Sequence, residues 1–78
     1  MSSLELLVRF NLDSTINIMK IKWFDIMYDT SYKMFSQWNE NNLTHFIAIC
    51  ENQNKIFELT YDNYYKWDIV KADSLKFK

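Results

Sequence analysis

The chain has 78 residues, 49% of them hydrophobic and 18% aromatic, with a formal charge of −1, one cysteine and neither glycine nor proline. That length is one domain, so weak a charge gives no long-range pull toward nucleic acid or an acidic membrane, and a lone cysteine excludes an intrachain disulfide framework. Phosphate-gripping and calcium loops that depend on glycine are excluded as well.

A domain of this size hides only about 60–65% of the surface its unfolded form exposes. So heavy an apolar load therefore predicts exposed patches, and such patches mark contact sites. The first apolar run is broken by Glu5 and Arg9, with no small-residue cleavage site after it, so no signal peptide is expected. No run of about 20 apolar residues is present to span a membrane. A cytoplasmic location is the expectation. Ile, Asn, Lys, Tyr and Phe outnumber Ala and Arg, the bias of an AT-rich genome such as that of a phage.

In chain order, Leu4, Leu6, Val8, Phe10 and Leu12 alternate with Glu5, Leu7, Arg9 and Asn11, the period of a half-buried strand. Asp13-Ser14-Thr15 can cap a helix. From Ile16 to Trp38 the spacing favours a helix, long or broken near Asp29-Thr30-Ser31. Ile16, Met19, Trp23, Ile26, Met27 and Met34 then share one stripe, and Lys22, Asp25, Asp29 and Lys33 another. The charges stand at spacings that support a helix. The strand-forming residues Ile16, Ile18, Ile21, Trp23 and Phe24 keep a strand as the alternative. In the helix, Ile18, Ile21, Phe24 and Tyr28 form a second apolar flank.

Leu43–Glu51 and Ile56–Tyr61 read as a hairpin about Asn52-Gln53-Asn54-Lys55. The register that keeps one face apolar sets Phe46 opposite Tyr61, Ala48 opposite Leu59 and Cys50 opposite Phe57. A turn at Asp62-Asn63-Tyr64 leads into a third strand, Tyr65–Lys71, with Tyr61 opposite Tyr65, Leu59 opposite Trp67 and Phe57 opposite Ile69. A helical reading of this segment, with Tyr61, Tyr65, Ile69 and Ala72 on one stripe, is the alternative there. The expected fold is α+β: an N-terminal strand, a long or broken helix, and a three-stranded antiparallel meander packed on it. The far sheet face carries His45, Ile47, Ile49, Glu51, Ile56, Glu58, Thr60, Lys66 and Val70.

No constellation reads as catalytic. His45 and Cys50 are the sole residues of their kinds, and their odd spacing on one strand puts them on opposite faces. Cys50 then lies in the core, where a thiol is inert. His45 stands opposite Asp62, an exposed cross-strand pair. Asp25 and Asp29, flanked by lysines, read as a solvated salt-bridged face. No cofactor and no metal site is expected.

Two functions fit. The first is a non-enzymatic protein-interaction module, self-associating as a homo-oligomer or docking on a larger protein, as an inhibitor encoded by a phage or mobile element would. Its interface would be Ile47, Ile49 and Ile56 on the far sheet face with Ile21, Phe24 and Tyr28 on the helix flank. Tyr, Trp, Phe and Met are the residues of interface centres. The second is a single-stranded nucleic-acid binder that stacks bases on Tyr64, Tyr65 and Trp67 beside Lys66. Interspersed Asp62, Asp68 and Asp73 weaken it, and the register reads Tyr61, Tyr65 and Trp67 as core in preference to a stacking platform.

Overall fold

A computed structural model describes residues 4–30 and 36–75. Strands dominate: β1 Leu4–Phe10, β2 Ile16–Trp23, β3 Ile26–Asp29, β4 Ser36–Glu40, β5 Leu43–Cys50, β6 Lys55–Tyr61 and β7 Trp67–Ser74, with a 3-10 turn at Glu51–Gln53 between β5 and β6. β1-β2-β3 form one antiparallel sheet and β4-β5-β6-β7 the other. The inner faces close on a single core of Ile18, Ile21 and Tyr28 from the first sheet and Phe46, Ala48, Cys50, Phe57 and Leu59 from the second. Phe57 meets Trp23 edge-on at 5.7 Å and Tyr28 at 4.9 Å, which locks the sheets face to face.

The expected α+β fold is therefore overturned: no α-helix occurs among the described residues. The segment expected as helix contains β2, β3 and the start of β4, while Lys33 and Met34 lie outside the described residues. The misreading has a local cause. β2 carries a bulge, with Leu7 paired to Lys20 and Val8 to Ile18, so that Met19 is extra. Ile16 and Ile18 face inward before the bulge, Ile21 and Trp23 after it. The step of three from Ile18 to Ile21 breaks the period of two and imitates a helix.

β7 repeats the device. Leu59 pairs with Ile69 and Glu58 with Lys71, leaving Val70 extra, so Trp67, Ile69 and Ala72 point inward at uneven spacing. The helical alternative for this segment falls for the same reason.

The β5–β6–β7 meander exists, but the β5–β6 register differs from expectation by two residues and the β6–β7 register by two on the turn side of its bulge and three beyond it. Phe46 faces Leu59, Ala48 faces Phe57 and Cys50 faces Lys55. Tyr61 faces Trp67, and Tyr65 is not in the strand at all. A slip of two keeps every side chain on its face, so alternation alone cannot distinguish the registers. The closing geometry decides: Asn54 takes a left-handed conformation at φ 56° and its N–H donates to Glu51 O, which turns the chain one residue earlier on each side.

Without glycine, the left-handed turn positions fall chiefly to Asn. Asn41 and Asn42 join β4 to β5 with φ of 57° and 66°, a two-residue turn with both residues left-handed, as hairpins require. Phe24 and Asp25 do the same between β2 and β3 at φ 51° and 63°. A bulky residue there is strained. Asp13-Ser14-Thr15 turns β1 into β2 rather than capping a helix: Asp13 Oδ1 accepts from Thr15 N at 3.1 Å and Thr15 Oγ1 at 2.6 Å.

Candidate functional site

The residues expected to form one interface are dispersed. Ile21 and Tyr28 are core, because the bulge turns Ile21 inward and Tyr28 pairs with it. Phe24 sits 61% exposed at the β2–β3 turn, against Trp23. Ile47, Ile49 and Ile56 lie half-buried on the outer face of the second sheet, where Ile49 faces Ile56. The acidic pair dissolves too: Asp25 is in the turn and Asp29 pairs with Lys20 at 2.6 Å.

His45 faces Thr60 and not Asp62. Its ring stacks on Trp38 with centroids 5.1 Å apart, Nε2 donates to Glu40 O at 3.2 Å, and Nδ1 is buried without a hydrogen-bond partner. Cys50 is sealed in the core, where burial and, secondly, the Asp29 carboxylate push its thiol up to about 11. It is un-ionised at neutral pH and carries no nucleophilic chemistry. No group of three or more His, Cys, Asp or Glu among the described residues could hold a metal ion.

What the fold does gather is one end of the sandwich, where the β1–β2, β4–β5 and β6–β7 connections meet around an open cleft of about 740 Å³. β4 lies at the edge of its sheet and turns Gln37 and Asn39 inward, opposite Phe46 and Thr44. Gln37 bridges the sheets: its Oε1 accepts from Ile16 N at 3.0 Å and its Nε2 donates to Ser14 O at 3.3 Å. Thr44, the first inward position of β5, is buried with its hydroxyl 2.9 Å from Asn39 Oδ1 and 3.0 Å from Asn63 Oδ1. The mouth of the apolar core is thus closed by amides and a hydroxyl.

The β6–β7 loop is tied down by one carboxylate. Asp62 Oδ1 accepts the backbone N–H of Tyr64 at 2.8 Å and those of Tyr65 and Lys66 at 3.0 Å each, and Asp62 N donates to Lys66 O at 3.1 Å. These bonds, that from Lys66 foremost, hold the Asp62 carboxyl below the usual range. A carboxylate so depressed adds stability above its unfolded pKa of about 4 and loses it as pH falls through the lower folded value. Asp62→Ala should therefore melt below the native protein at neutral pH, with the gap in Tm closing in strong acid. A gap that persists unchanged there would show that the carboxylate charge is not what holds the loop.

On this braced loop Tyr64 is 81% and Tyr65 86% exposed. Trp67 is half-buried, stacked on Tyr61 at 4.4 Å with Phe46 at 5.2 Å. Lys66 Nζ lies 3.9 Å from Asp68. No family model fits the chain, and neither a curated protein nor a solved structure is similar to it.

β1 ends at Phe10, so Phe10 and Leu12, expected as its inward continuation, emerge at the same end. Leu12 is fully exposed and Phe10 reaches Tyr61 at 6.3 Å. The sequence reading missed Phe10 and Leu12, together with the mouth amides of Gln37, Asn39, Asn42 and Asn63. The one signal available was Asn41-Asn42, legible as a turn, which places the flanking polar residues on a hairpin. The membrane question keeps a narrow answer: no helix among the described residues is long and apolar enough to cross one.

Proposed function

We propose that the chain is a non-enzymatic module that binds a protein partner through this loop end, with Tyr64, Tyr65, Leu12 and Phe10 as contact residues. One observation carries the reading: two nearly fully exposed tyrosines stand on a loop whose backbone is fixed by three bonds to Asp62. Large rings held in place lose little freedom on docking, and tyrosine among Asn and Ser is the chemistry of loop-borne recognition. Folding does not need these rings outside, since the core closes without them. Occupying the surface of a larger cytoplasmic protein, as an inhibitor does, is the simplest activity such a module would have.

The test compares native protein with the Tyr64→Ala/Tyr65→Ala double variant as baits in extract of the source cells. Lys71→Ala, on the far side of β7, is the control. A partner retained by native and control baits and lost by the double variant supports the reading. Equal retention by all three, or none by any, overturns it. Oligonucleotide titration at low salt is the second arm. Tryptophan quenching that disappears as salt rises would transfer these tyrosines to the single-stranded nucleic-acid reading. That reading is the weaker one, because Trp67 is turned into the core rim and Lys66 is neighboured by Asp68.

A further inference from the structure

Among the described residues, the cleft beside those tyrosines has hydrogen-bonding capacity that the fold does not use. Thr44 has one hydroxyl proton, yet its oxygen stands within bonding distance of an amide group on both Asn39 and Asn63. Only one of the two amides can accept that proton. The other must turn its NH2 to donate to the Thr44 oxygen, a choice that amide geometry leaves open. Whichever way it falls, one amide NH2 and one amide carbonyl oxygen remain on the cleft wall. Asn42 adds a further amide at the rim.

The lining fixes the class of ligand. Among the described residues it contains no Lys, Arg or His, so phosphate and carboxylate groups find no counter-charge there. Its one carboxylate, Asp62, directs Oδ1 at three backbone N–H groups. An apolar ligand would strip water from the amides without replacing their bonds, which is costly. The volume is that of a small-molecule site. Tyr64 offers an exposed ring at the edge.

We propose that this mouth binds a neutral saccharide unit. A sugar hydroxyl both donates and accepts, so it satisfies Asn39 and Asn63 in either orientation of their amides. The C–H face of the ring lies on Tyr64 while its hydroxyls meet the amides. This goes beyond the protein-docking reading and uses different residues, apart from Tyr64.

The experiment is an amide-resolved NMR titration of the full chain with maltotriose, cellotriose and chitotriose, and with N-acetyl-trialanine amide as the peptide probe. Saturable shifts with at least one trisaccharide, centred on Asn39, Thr44, Asn63 and Tyr64, are expected. Asn39→Ala and Tyr64→Ala should each weaken binding about tenfold, the loss of roughly one good contact, with the spectrum otherwise folded. Tyr65→Ser, outside the cleft lining, should leave saccharide binding unchanged while weakening any protein partner, which separates the two readings. No saturable shift with any trisaccharide overturns the proposal, as does binding that both cleft variants retain. Shifts from the peptide alone overturn it in favour of a peptide site.

Discussion

Phe57→Ala is expected to abolish cooperative unfolding. Phe57 is fully buried and, among the described residues, is the one ring that touches both Trp23 and Tyr28 of the opposite sheet. Truncating a buried phenylalanine costs about 3–5 kcal/mol in lost transfer energy and residual cavity. A core as small as this one supplies only about 3–5 kcal/mol of net stability, so the variant has nothing left. Near-UV circular dichroism should lose the aromatic signal and a urea titration should show no sigmoidal transition. Phe57→Leu, which keeps most of the volume, should stay folded with a lower midpoint. A sharp transition in the alanine variant near the native midpoint would mean that the two sheets are not held together at this ring.

The second large effect lies in β2 and its turn, where neighbouring apolar residues have opposite roles. Ile21 has no exposed surface, so Ile21→Lys buries an ammonium group without a partner and loses the packing of the isoleucine. Together these exceed about 4 kcal/mol, and the chain should be unfolded in water. Three positions later, Phe24→Asn should do the reverse. Phe24 holds φ 51° at the first position of a two-residue turn, where a non-glycine side chain pays roughly 1–2 kcal/mol and asparagine much less. Against that gain stands the loss of the Phe24 contact with Trp23 at 4.8 Å. The midpoint of thermal unfolding should rise, by up to about 1 kcal/mol of stability. Ile21→Lys folding normally would return Ile21 to the surface and restore it as an interface candidate.

The contrast between these residues also shows what could be read from the chain. β1 was legible because its alternation from Leu4 to Val8 is unbroken. The faces of β5 and β6 were legible for the same reason: Phe46, Ala48, Cys50, Phe57 and Leu59 all lie inside. β2 and β7 were not, because Met19 and Val70 each add one residue to a strand and shift the inward positions by one. The β2–β3 hairpin was hidden a second time by its turn, where Phe24 stands in place of the Asn or Gly that signals such a connection. Among the site residues, Tyr64 and Tyr65 were singled out from their chemistry. Their exposure depends on the five-residue loop that Asp62 closes, where a three-residue turn had been expected. The cleft amides went unnoticed because each is an ordinary turn or edge residue. Only the inward face of β4 and the burial of Thr44 bring them together.

Among the described residues both sheets are wound in chain order, so every strand hydrogen-bonds only to strands adjacent to it in sequence. Each pairing closes a short loop, and the entropy of closure is met one hairpin at a time. Topologies of this kind have low contact order and fold at the rapid end of the range for all-β chains. The rate-limiting event should then be the collision of two preformed meanders, not the search of any strand for its partner.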